Sequence, residues 1–155
     1  MTDLAWLSED EQRIYRVFSE MSRRLFNHFD CDLKRDAGIQ RTYYEILFVL
    51  GEAQEGELRL NQLAERTRSA PSRLTHAVGR LEKEGLIRRL QSEEDRRSWM
   101  VALTPMGEEK LRVAAERHAL SVRTYLLEAL TERQQEELRR ISQRVLAAID
   151  ASAED

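Results

Sequence analysis

Residues 60–87 read LNQLAERTRSAPSRLTHAVGRLEKEGLI and hold two short helices separated by a tight turn. Leu60, Leu63 and Ala64 open a helix with one apolar side that ends near Thr67. Ser69 or Ala70 then caps a second helix, with Pro71 in its first turn, where a missing N–H costs nothing. Leu74, Val78, Leu81 and Leu86 mark its buried side, and Gly85 supplies the left-handed stop. Two short helices joined in this way form a helix-turn-helix pattern.

The pattern extends in both directions. Downstream, Ile87–Leu90 and Trp99–Leu103 flank a charged tip, Gln91–Ser98, and in the second run Trp99, Val101 and Leu103 alternate with Met100 and Ala102. Period-two alternation on one side of a polar tip reads as a hairpin, so the expected motif is a winged helix with a small two-stranded wing. Upstream, Thr42 to Glu45 has the spacing of a capping box, and Tyr44, Ile46, Leu47, Val49 and Leu50 make an apolar segment suited to the centre of the fold. Gly51 and Gly56 bracket a polar link.

Long striped helices occupy both ends. Ser8 to Glu11 is a capping box, followed by Ile14, Phe18, Met21, Leu25, Phe29 and Leu33, with Gly38 as the stop. Thr104-Pro105 starts another helix striped by Leu111, Ala115, His118, Val122, Leu126 and Leu130. Thr131 to Gln134 caps the last, striped by Leu138, Ile141, Val145 and Ile149. The expected organisation is one mainly α domain over 1–155. A winged helix-turn-helix spans about 42–104, and dimerisation helices span about 8–36 and 105–151. These apolar faces exceed what one small winged module covers, so a homodimer is expected, the alternative being an intramolecular bundle.

Composition narrows the classes. The 155 residues are 41% hydrophobic and 34% charged, which suits a globular chain. Apolar runs such as Ile46–Leu50 and Val145–Ile149 fall far short of the roughly 20 residues a membrane helix needs. No secretory signal is read at the N-terminus, so a cytoplasmic protein is expected. Cys31 is the single cysteine, which excludes an intrachain disulfide, and no metal-ligand spacing or cofactor loop is found. The net charge of −3 is unevenly spread. Leu58–Thr104 carries ten Lys/Arg against six Asp/Glu, a basic centre between acidic arms. Such a centre suits phosphate neutralisation, which is local.

The runs Leu63-Ala64-Glu65-Arg66 and Leu81-Glu82-Lys83-Glu84-Gly85-Leu86-Ile87, then Asp95-Arg96-Arg97 followed by Leu103-Thr104 and Gly107, resemble the MarR family of transcriptional regulators. The resemblance spans nearly the whole chain. It implies a dimeric winged-helix repressor of pseudo-palindromic operator DNA, released by a small aromatic or phenolic ligand or by an oxidant. Two positions depart from the family's habit. Arg68 stands where glycine is frequent, straining a left-handed turn, and Pro71 stands where a polar or basic residue is frequent.

A recognition helix lies in the major groove of double-stranded DNA with its N-terminal residues toward base edges. The side opposite Leu74, Val78 and Leu81 carries Ser72, Arg73, Thr75, His76, Gly79 and Arg80. Arg73 is the candidate for bidentate pairing with guanine. His76 suits a base edge or a phosphate. Ser69, Ser72 and Thr75 suit phosphate oxygens, as do Arg88 and Arg89 on the first wing strand. An arginine at the wing tip suits a narrow minor groove; the resemblance implies Arg97 for that role, beside Arg96, with Asp95 ion-paired to hold the loop. It also implies a ligand pocket where the long helices meet the reading head, lined by His28, Phe29, Asp32, Tyr43 and Tyr44. Ordinary packing is the competing reading for each of these. No enzyme is expected. Two alternatives stand: a thiol redox regulator acting through Cys31, whose neighbours Asp30 and Asp32 oppose thiolate formation, and a winged-helix module that docks protein.

Overall fold

The computed structural model describes residues 6–54, 56–91 and 99–152. It is mainly helical and falls into two compact units, Met1–Ala119 and Leu120–Asp155. The first helix, α1 (Glu9–Asp32), opens as its sequence dictates. The Ser8 hydroxyl accepts from the Glu11 N–H while Glu11 accepts from the Ser8 N–H at 2.7 Å. A π-helical turn, Leu33–Ala37, extends it to Gly38, whose φ of 61° ends the helix in the left-handed region.

Helix α2 (Arg41–Gly51) is the centre of the core. The capping box expected at Thr42–Glu45 does not form, because the helix begins two residues earlier and Gln40 is its cap. The Arg41 N–H instead donates to Asp30 Oδ1 at 3.3 Å, so a side chain on α1 satisfies the orphan donor. Ile46, Leu47 and Leu50 of α2 are fully buried against Leu63, Leu74, Val78 and Leu81.

The helix-turn-helix follows as α3 (Leu60–Thr67) and α4 (Pro71–Lys83), and the wing strands as β2 (Ile87–Gln91) and β3 (Trp99–Leu103). The expected fold class holds with one addition. Strand β1 (Glu57–Arg59) precedes α3 and pairs antiparallel with β3, so the two-stranded wing is rooted in a three-stranded sheet of order β1-β3-β2. Leu58 and Arg89 both lie opposite Val101, whose side chain is wholly buried. Three residues bounded by a polar link carry too little pattern to be read as a strand.

Helix α5 (Pro105–Val122) is capped by Thr104, whose hydroxyl accepts from the Gly107 N–H at 3.1 Å and donates to the Gly85 carbonyl at 2.6 Å. Its buried positions are Gly107, Ala114 and Ser121, one step off the expected Leu111, Ala115 and Val122 stripe. Small residues face the winged helix here because the backbone approaches closely. A Cβ on Gly107 would stand 1.9 Å from the Leu86 carbonyl oxygen.

In the second unit, a π-helical turn (Arg123–Leu127) leads to α6 (Glu132–Ser152). Thr131 and Gln134 cap α6 reciprocally, at 2.9 and 3.3 Å, as their spacing predicts. No residue of α6 is buried.

Candidate nucleic-acid interface

The turn between α3 and α4 passes through Arg68, at φ 48° and ψ 36°. A side chain in the left-handed region costs on the order of 1 kcal/mol, so neighbouring bonds must hold it. The Arg68 N–H donates to Glu65 and the Ser69 N–H to Ala64, both at 3.1 Å. The Thr67 hydroxyl donates to the Leu63 carbonyl at 2.7 Å, and that of Ser69 to Thr67 at 3.3 Å. These bonds brace the turn with arginine held in the left-handed region.

Pro71 occupies the first turn of α4 and Ala70 the cap. Leu74, Ala77, Val78 and Leu81 anchor one face in the core. Ser72, Arg73, Thr75, His76 and Arg80 are exposed on the other. With Ser72, Arg73, His76 and Ala77, the α2 cap Gln40 and the α2 residues Thr42 and Tyr43 line a shallow open groove of about 360 Å³. Gln40 and Thr42 escaped the sequence reading, because nothing local joins the start of α2 to α4.

The exposed face is not uniform. Among the described residues Arg73 makes no ion pair. Arg80 lies 3.2 Å from Glu84, which with the Tyr43 hydroxyl pushes the guanidinium further toward its charged form. The Thr75 hydroxyl is committed to the Pro71 carbonyl at 2.9 Å, leaving it an acceptor rather than a donor. On β2, Arg88 is exposed, whereas Arg89 is turned in and its Nε lies 3.0 Å from Glu82. Asp95, Arg96 and Arg97 lie outside the described residues.

The five residues assigned to a ligand pocket are dispersed. Phe29 and Tyr44 are buried and pack on His118, with ring centroids at 5.1 and 5.0 Å. Tyr43 faces the groove beside α4. Asp32 is buried and pairs with Arg35 at 2.9 Å. His28 is exposed, as is Cys31. His118, which the sequence reading did not single out, joins two of the five. Burial, reinforced by Arg41, holds its pKa below the ordinary 6.5, and its Nδ1 is shut away without a hydrogen-bond partner. Its place in a helical stripe made it look like one more packing position. Among the described residues no cluster of three His, Cys, Asp or Glu is placed to hold a metal, and no helix is long and apolar enough to cross a membrane.

The geometry of two short helices, a braced turn and a wing has close counterparts. Sco3205, a MarR family transcriptional regulator of Streptomyces coelicolor crystallised in complex with DNA, is 37% identical. It superposes with a TM-score of 0.89 over 96% of this chain and 92% of that one. The chain belongs to the MarR family. A family model described as MarR family matches residues 39–99 of this MarR protein, from just before α2 to the first residue of β3. AbsC, another MarR family regulator of S. coelicolor, is 33% identical, with a TM-score of 0.88 over 95% of this chain and 99% of its own. The transcriptional repressor MprA of Escherichia coli K12 is 28% identical over 141 residues, 90% of this chain and 78% of MprA.

Proposed function

We propose that this MarR family regulator is a sequence-specific repressor that binds duplex DNA as a homodimer on a pseudo-palindromic operator and is released by a small aromatic or phenolic ligand. The observation that carries the reading is the two-sided α4. Leu74, Ala77, Val78 and Leu81 fix it in the core while Ser72, Arg73, His76 and Arg80 stand free of it. In this reading Arg73 pairs with a guanine edge, and Ser69, Ser72, His76, Arg80 and Arg88 contact phosphates or neighbouring bases. Arg96 and Arg97, steadied by Asp95, serve the adjoining minor groove. The complex of Sco3205 with DNA supports the same use of this fold here.

Pairing is supported by apolar surface that lacks a cover. Ile14, Val17 and Phe18 of α1 are 59–72% exposed, and Ile141, Val145 and Ile149 of α6 are 51–61% exposed. A second copy would remove both stripes from water. The reading places the aromatic ligand beside the cluster of Phe29, Tyr44 and His118, which would have to part to admit it, with His28, Asp32 and Tyr43 as the remaining candidates. The reading assigns the chain no reaction and a cytoplasmic site of action.

Selection of bound duplexes from a random pool tests the proposal. The expected result is a two-fold symmetric site with half-sites about one helical turn apart. Binding should weaken steeply with salt. Unselective enrichment, or binding indifferent to salt, would overturn it.

A further inference from the structure

Arg88 and Arg89 are adjacent in sequence and do different work. Successive side chains on a strand point to opposite faces, and residues paired across strands share one. Arg89 pairs with Val101 and Arg88 with Ala102. Arg89 therefore lies on the face of the sheet that carries Val101 and Leu58 into the core, and its side chain is only 26% exposed. From there it reaches α4. Its Nε, closed off from solvent, sits 3.0 Å from Glu82 Oε2, although off the axis of an aligned hydrogen bond. Its Nη2 occupies the space over Gly79 and would stand 3.3 Å from any Cβ built there. Gly79 and Glu82 are three residues apart on α4, hence on one face. Together they form a seat and a clamp for a guanidinium arriving from the strand that carries the wing.

We propose that Arg89, Glu82 and Gly79 form a brace that fixes the wing strand to the C-terminal half of α4 and so sets the distance between the two DNA-contacting elements. Arg89 is then a positioning residue, not a phosphate contact. Glu82 belongs to the binding surface despite its charge, and Gly79 gives the guanidinium its room, since a Cβ there would stand 3.3 Å from Nη2 and make it shift by a few tenths of an ångström. The brace rests on the proposed DNA-binding function. Its value there follows from linkage: two weak contacts held at a fixed separation bind far better than two that move independently.

The sign of one substitution separates the brace from simple electrostatics. Removing a carboxylate near DNA should tighten binding if Glu82 only repels phosphates. If Glu82 holds Arg89, Glu82→Gln should weaken binding to the selected operator roughly 3- to 30-fold, with the salt slope unchanged. Arg89→Ala should weaken it by a similar factor, and adding Glu82→Gln to Arg89→Ala should cost little more, since the pair acts as a unit. A direct phosphate contact by Arg89 would instead lower the salt slope by about one and leave the two substitutions additive. Gly79→Ala should weaken binding in the same sense. Amide hydrogen exchange along β2, measured without DNA, should quicken in Glu82→Gln while exchange in α2 stays unchanged. Tighter binding by Glu82→Gln, or additive losses with unaltered exchange, would overturn the brace. A wild-type protein that ignores duplexes would overturn the DNA function instead, and the exchange measurement would still judge the brace.

Discussion

Helices α4 and α6 carry the same kind of apolar stripe and end in opposite environments. On α4, Leu74, Ala77, Val78 and Leu81 are all buried; on α6, Ile141, Val145 and Ile149 are each more than half exposed. Spacing alone does not distinguish them, since periodicity identifies the apolar face of a helix and says nothing of what covers it. The partners of α4 come from α2, α3 and the sheet of the same chain. Nothing within the second unit buries those of α6, and in the proposed dimer a second copy would cover them.

The contrast breaks most visibly in the core. Leu81→Ala should cost roughly 2–5 kcal/mol of unfolding free energy, read from denaturant melts. An equal cost for Val145→Ala in a protein shown to be monomeric would erase the distinction. The double substitution Ile141→Asp with Val145→Asp should weaken self-association roughly 100-fold. Analytical ultracentrifugation would show a monomer, while circular dichroism should show the helices retained.

Within α4 the contrast is between its two arginines. Arg73, without an ion pair among the described residues, should lose about 1–3 kcal/mol of binding and relax base preference on conversion to alanine. Arg80 must first leave Glu84, so Arg80→Ala should cost less and act uniformly across operator variants, as competition binding would reveal. Thr131→Ala should remove about 1 kcal/mol from the second unit by uncapping α6, measured by hydrogen exchange along that helix.

The smallest expected effect is a slope with pH. His118 has a folded-state pKa below 6.5, so the unfolded chain takes up its proton first on acidification. Stability from this group is complete above the unfolded value. It declines as pH falls through 6.5 toward the lower folded value, then levels off. Arg41, which disfavours the charged ring, and Glu45, which favours it, are the charged groups bearing on His118. Melting temperatures between pH 7.5 and 5.5 should fall in the wild type and flatten in His118→Leu. A slope that survives that substitution would assign the effect to another group.

Elements governed by nearby residues were legible in the sequence. The Ser8–Glu11 and Thr131–Gln134 boxes, the Pro71 entry and the Gly85 exit each involve residues within one turn of one another. What escaped depends on distant chain. The side chain that receives the first N–H of α2 comes from Asp30, eleven residues upstream of Arg41, so the local Thr42 pattern misled. Strand β1 exists because β3 offers it an edge. The stripe of α5 is shifted because Gly107 must admit the Leu86 carbonyl. On α4, Ser72, Arg73, Thr75, His76 and Arg80 share one exposed face as their spacing predicts, whereas Gln40 and Thr42 come beside that helix only through packing. The separation of Arg88 from Arg89 was available from strand parity, with Ile87 already marking the inward face.

Thr104 has one further consequence. Its single hydroxyl fastens the exit of α4, at Gly85, to the first turn of α5, and Gly107 is pressed against Leu86 beside it. A joint this tight leaves no slack to absorb a tilt. Within the first unit, the start of α5 is therefore held to the end of α4 by a hydroxyl and by a backbone contact at once, so the two helices meet at one fixed angle.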